Sequence, residues 1–236
     1  MQRYTAKNLF FNINYADIRL ETSVNIVMHI LTDIIVNTNQ NMPYVITIYI
    51  DNTIEPKTYG MASWETRHIW LNPDNFGKMT KLNNISFELN VCVILHELLH
   101  SVGLIGGSRL YQYVHDKNAD PSNVYTGPNG LEQYIKVLQS NHKDVTNIRY
   151  LPLENHFGDG TETSHLEEGL NEDKTREQRI INGTLYPAIK NEIMTGFLEN
   201  NNFITPITLG LLQDLGFIVN YSSQYVTTVS ENLIIV

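Results

Sequence analysis

Val91-Cys92-Val93-Ile94-Leu95-His96-Glu97-Leu98-Leu99-His100-Ser101-Val102-Gly103 is an apolar run that carries two histidines and a glutamate. Read as an α-helix, it places His96 and His100 one turn apart on the same face, so both imidazoles can reach one metal ion. Glu97 follows the first of them and is placed to take a proton from a water at that metal. This H-E-x-x-H spacing predicts a zinc site. The surroundings strengthen it, because polar side chains inside a buried helix are costly unless something satisfies them. The spacing predicts a helix over 87–102, released at Gly103.

The bulk numbers bound what this helix can belong to. The 236 residues can bury a full core, and 42% apolar with 17% charged residues is a globular composition. A net charge of −9 without a basic stripe argues against nucleic acid as a partner. No apolar stretch is long enough to span a bilayer, and nothing after Met1-Gln2-Arg3 resembles a signal peptide. Cys92 is the only cysteine. It rules out an intrachain disulfide and tilts the expected compartment towards a reducing, cytoplasmic one. It lies one turn before His96, where a ligand is conceivable and a small core residue is the better expectation.

Outward from the helix, the N-terminal half alternates strands with one helix. Residues 8–15 read as a strand, and 26–35 repeat with helical spacing after a Thr22-Ser23 cap. Residues 44–50 and 67–71 are β-rich and stop at Asp51-Asn52 and Asn72-Pro73. After Gly103 the chain turns loop-rich, with helices expected over 131–140 and, behind a Thr205-Pro206 start, over 207–215. The expected architecture is one α+β catalytic domain, 1–236. A twisted sheet with two helices forms the lobe 1–103, and an irregular lobe 104–236 sits across a cleft.

Two histidines are too few for catalytic zinc, which usually has three protein ligands. A short form of the motif supplies the third six residues after the second histidine. Gly106 stands at that position and has no side chain to ligate with. Three sources remain: Glu132 on a later helix, His156, and His165.

The chain resembles the leishmanolysin-type metallopeptidases, a metzincin family in which an insert separates the helix glycine from the third histidine. The resemblance rests on segments in the right order: HELLHSVG at 96–103, YTGPNG at 125–130, LPLEN at 151–155, GTETSH at 160–165, NEIMTG at 191–196 and ITLGLLQDLGF at 207–217. It implies a metzincin-like zinc peptidase domain with His96, His100 and His165 as zinc ligands, Glu97 as general base and Met194 in a turn beneath the metal. It also implies a protein or peptide substrate. The 67–71 strand, through Ile69, Trp70 and Leu71, is the candidate edge that would hold an extended peptide. Phe197 and Leu198 are expected to wall the pocket after the cleaved bond. Glu154 is a candidate acceptor for a ligand histidine.

The chain departs from the family in three ways. The stretch from His165 to Met194 is longer than expected and contains a charged insertion at 173–183. Leu166 stands where a tryptophan is often found, and the cysteine framework of secreted members is absent. A zincin of another clan using Glu132, and a non-catalytic peptide-binding protein on the same scaffold, are the rival expectations.

Overall fold

The computed structural model describes residues 3–39, 43–107, 109–158, 160–227 and 233–236, so Met1 and Gln2 of the N-terminal reading lie outside the described residues. Alternation builds the first sheet. β1 (Tyr4–Lys7) and β2 (Phe11–Tyr15) form an antiparallel pair. Phe11, Ile13 and Tyr15 point into the core while Asn12 and Asn14 do not. The expected single strand over 8–15 is therefore a turn followed by β2, because the Asn8 side chain accepts from the backbone N–H of Phe10 and Phe11 and bends the chain.

A helical crossover joins β2 to the parallel strand beside it. α1 (Glu21–Ile34) buries Val27, Ile30, Leu31 and Ile34 of the stripe read in the sequence, together with Val24 and Met28, while Ile26 is half-buried and Ile35 already belongs to the next strand. Its start is corrected: Thr22 and Ser23 lie inside it. The chain enters through a 3₁₀ turn, Ile18–Leu20, capped by Asp17. β3 (Ile35–Thr38) follows, and then β4 (Tyr44–Ile50), which alternates buried Tyr44, Ile46 and Ile48 with exposed Val45 and Tyr49. β5 (Gly60–Ser63) and β6 (His68–Leu71) complete a five-stranded mixed sheet in the order β1-β2-β4-β6-β5.

That order corrects the edge-strand expectation. β6, with Ile69, Trp70 and Leu71, is interior, parallel to β4 on one side and antiparallel to β5 on the other. Ile69 and Leu71 are fully buried, and Trp70 joins Tyr49 and His68 in an aromatic cluster on the opposite sheet face. The edge is β5, which the sequence reading missed because Gly-Met-Ala-Ser has neither β-branched residues nor alternation.

A hairpin, β7 (Met79–Leu82) and β8 (Ile85–Glu88), leads into α2 (Leu89–Ser101). Phe87 therefore belongs to a strand, and the helix starts at Leu89. Every α2 residue except His100 is buried, as expected for a helix apolar on all sides. It packs against α1, β5, β6 and β7.

Beyond it come β9 (Val114–His115), β10 (Val124–Tyr125), α3 (Pro128–Ser140), β11 (Leu151–Pro152), the hairpin β12 (Arg179–Ile181) and β13 (Thr184–Tyr186), β14 (Asn201–Asn202), α4 (Pro206–Asp214) and β15 (Phe217–Val219). The two halves interleave. β14 pairs with β7 and β15 with β3, so the second half returns twice to elements of the first. Among the described residues no helix is long and apolar enough to cross a membrane.

Candidate metal centre

α2 delivers His96, Glu97 and His100 to the floor of a cleft of about 950 Å³. Gly103 then turns the chain at φ +99°, a conformation that favours glycine. That reversal brings the Leu104 carbonyl back to His100 Nδ1 at 3.2 Å. Gly106, where the short motif would carry its ligand, abuts Ser164: a Cβ there would lie 3.1 Å from Ser164 Cβ. The next residue along that segment is His165, so the distant loop supplies an imidazole where the local turn supplies none.

The three Nε2 atoms of His96, His100 and His165 are mutually 3.1 Å apart. Each Nδ1 faces an acceptor: Ile193 O at 2.7 Å for His96, Leu104 O for His100, and Thr161 O at 3.1 Å for His165. A carbonyl only accepts, so we assign the proton of each neutral ring to Nδ1. Three Nε2 lone pairs then converge with no proton between them. Nitrogens on a tetrahedral ion with bonds of 2.0–2.1 Å stand about 3.3 Å apart. The donor set fits one small divalent ion, and the three histidines are the metal-capable group of this kind among the described residues. Burial keeps all three rings neutral: it lowers the pKa of each, and for His100 and His165 the neighbouring imidazoles push further, taking His165 to about 3. Neutral imidazole is the ligating form.

Glu97 is 7% exposed, and no hydrogen-bond or ion-pair partner engages its carboxylate among the described residues. Burial pushes its pKa up to about 8. β5 presses directly on it: a Cβ at Gly60 would lie 3.1 Å from Glu97 Oε1 and 2.8 Å from Val93 Cγ1. Glycine is what lets the sheet edge run this close to the Glu97 carboxylate. We expect Gly60→Val to force β5 off α2, costing about 1–3 kcal/mol of stability in a urea melt. Any catalysis at the site should fall at least about tenfold, because misplacement near 1 Å is costly there.

The segment around Met194 fastens the site from below. The Ile193 carbonyl accepts from His96, and the Met194 carbonyl accepts from the N–H of Leu166, the residue after His165. One turn thus positions histidines from two distant parts of the chain. Met194 itself is fully buried. Glu192, which the sequence reading passed over, shapes the turn. Its buried carboxylate accepts from Met194 N–H, Thr205 Oγ1 and Thr208 Oγ1, tying the turn to the N-terminus of α4. The signal was present in Thr205 and Thr208, a cap and its third-position partner.

Three further carboxylates, Glu154, Glu167 and Glu168, are buried behind His165. Glu154 does not orient a ligand ring through its carboxylate. That group accepts from Asn155 and His156 N–H, while the Glu154 backbone N–H donates to His165 O at 3.0 Å. Glu168 Oε2 accepts from Gly196 N–H at 2.8 Å, and burial, with Glu154 nearby, lifts Glu168 to about 9 from an ordinary 4.5. A raised folded-state pKa means the folded protein holds a proton that the unfolded chain releases. The stabilising contribution is complete below about 4.5 and is lost as pH rises towards 9. In the metal-free protein, Glu168→Gln should therefore reduce the fall in melting temperature between pH 5 and pH 9. Identical pH profiles for the two proteins would refute this.

No protein-family model matches the chain, and no curated protein matches it either. Local geometry alone therefore speaks for the site. It brings together His96, Glu97, His100 and His165 and sets Phe197 and Leu198 in the cleft wall. It does not bring in Glu132, whose exposed carboxylate pairs with Lys136 at 2.8 Å, or His156, held between Glu172 and Glu177. Cys92 is fully buried with its thiol pushed up to about 12, a core residue. Ile69, Trp70 and Leu71 are absent from the lining, where Thr58, Tyr59, Gly60, Met61 and Ala62 stand in their place.

Proposed function

We propose that this chain is a zinc-dependent endopeptidase with a metzincin-like fold similar to the leishmanolysin-type enzymes. The observation that carries the reading is the 3.1 Å triangle of imidazole nitrogens beside a glutamate that is unpartnered among the described residues, at the floor of an open cleft. His96, His100 and His165 would hold the ion. Zinc bound there supplies Lewis acidity, polarising a substrate carbonyl and lowering the pKa of water from 15.7 towards about 7.

The chain does the rest. With a divalent charge held by the three histidines favouring its ionised form, Glu97 takes the proton of the attacking water and returns it to the leaving amine. Among the described residues its carboxylate has no competing partner, and the side chain is buried at the cleft floor. β5 ends the sheet, so its outer edge is unpaired among the described strands and can hold an extended peptide by added strand pairing. Phe197 and Leu198 supply the wall beyond the cleaved bond. Glu132 bound up on the surface weighs against a zincin that uses it, and an intact Glu97 weighs against a binding-only protein.

The test is metal quantification on the purified chain, followed by cleavage of casein or gelatin. The expected result is one zinc per chain and cleavage that a chelator stops and added zinc restores. Zinc-loaded protein that cleaves nothing would overturn the enzyme reading.

A further inference from the structure

The cleft differs in charge from the rest of the molecule. The chain carries a net −9, yet Lys57, Lys78 and Lys174 line the cleft, and among the described residues Glu97, buried at its floor, is the sole carboxyl in the lining. None of the three lysines has a carboxylate within ion-pairing distance among the described residues. The acidic groups around them are engaged or stand outside the lining. Glu199 is paired with Lys190 at 3.0 Å, and Glu172 accepts from Phe157 N–H at 2.8 Å. Glu55 and Asp173 are exposed and do not line the cleft.

Hydrogen bonds tie together the segments that carry these lysines. The loop carrying Lys57 is laced to the segment before Lys78: the Asn72 side-chain amide donates to Thr58 O at 3.0 Å and that of Asn75 to Tyr59 O at 2.7 Å. Lys78 N–H donates to Asn75 O. Two residues later the Thr80 hydroxyl donates to Glu199 O at 3.2 Å, next to Leu198. Lys174 comes from the insertion at 173–183 and sets its ammonium 4.5 Å from the centre of the Phe197 ring, which Phe157 meets edge-on at 4.9 Å. Lys174 thus lies on the Phe197–Leu198 wall, and the segments carrying Lys57 and Lys78 are tied to each other and to the stretch that follows that wall.

We propose that the cleft selects peptides bearing acidic side chains just after the cleaved bond, with Lys57, Lys78 and Lys174 as the specificity-determining residues; this rests on the peptidase reading. Each exposed lysine alone contributes little against a carboxylate, but a concave site lined by several charges of one sign focuses their field. The preference is therefore moderate, and salt weakens it.

The experiment uses amidated fluorogenic peptides differing only in Glu or Gln at the second and third positions after the scissile bond. A third peptide has Gln with a free terminal carboxylate. With zinc-loaded protein we expect the Glu peptide to exceed the Gln peptide about tenfold in kcat/KM at about 0.05 M salt, shrinking to about twofold at about 0.5 M. The K57E/K78E/K174E variant should reverse the ratio, with unchanged zinc content reporting an intact site. The same peptides are titrated against zinc-loaded Glu97→Gln by fluorescence anisotropy, which reads selection without cleavage. Equal binding of the Glu and Gln peptides, a ratio unmoved in the triple variant, or a gain confined to the free-terminus peptide each overturns the proposal. If no peptide is cleaved while the binding order holds, the peptidase reading falls and charge selection stands.

Discussion

Glu97→Gln should keep one zinc per chain and lose turnover by about 10²–10⁴-fold, the range that a positioned general base contributes. Glutamine has the same shape, so the contacts of β5 across Gly60 and the neighbouring His96 and His100 are preserved. It cannot accept a proton near neutral pH. Stability gives an independent check on this prediction. Burial already holds the Glu97 carboxyl at about 8 in the metal-free protein, so a neutral amide removes a desolvation cost and should not lower the melting temperature at pH 9. Kinetics on the zinc-loaded variant, with metal content measured on the same sample, decide the matter. Near-full activity would remove Glu97 from the chemistry.

His165→Ala is expected to cost both metal and activity. Loss of an outer partner of a zinc ligand weakens binding about 10–100-fold, and loss of the ligand itself should exceed that. Two nitrogens from one helix face remain, which leaves the ion more open to solvent than a three-coordinate protein site. In a thermal melt, saturating the wild type with zinc at about 100 times its Kd adds about 2.7 kcal/mol, and the variant should show no such gain at the same concentration. His156→Ala and Glu132→Ala serve as controls. Their side chains are committed to Glu172 and Glu177 and to Lys136, and both variants should bind zinc as the wild type does. Wild-type zinc affinity in His165→Ala would dismantle the site as drawn.

How far the residues alone led depends on the range of the interaction. The paired histidines of α2, the buried stripe of α1, the alternation of β4 and the Thr205-Pro206 start of α4 were all legible, because each is set by spacing within a few turns. The hairpin of β7 and β8 was not, and its omission placed the helix start two residues early. β5 was missed for a related reason. Gly60-Met61-Ala62-Ser63 carries no pattern of its own and becomes a strand only because β6 offers a partner. Phe197 and Leu198 were anticipated as cleft wall through the family resemblance, whereas the lysines around them were not.

His165 marks the division most clearly. Composition, charge and the H-E-x-x-H helix specified a mixed α/β chain with two metal-capable imidazoles, since those features are local and additive. The third nitrogen depends on contacts that no short window contains: Gly106 against Ser164, Leu166 N–H on the Met194 carbonyl, and His96 on the Ile193 carbonyl. Each joins parts of the chain far apart in sequence. Closing such loops costs entropy that only the finished packing repays, so folding in three dimensions decided which histidine completes the triangle and which strand borders the cleft.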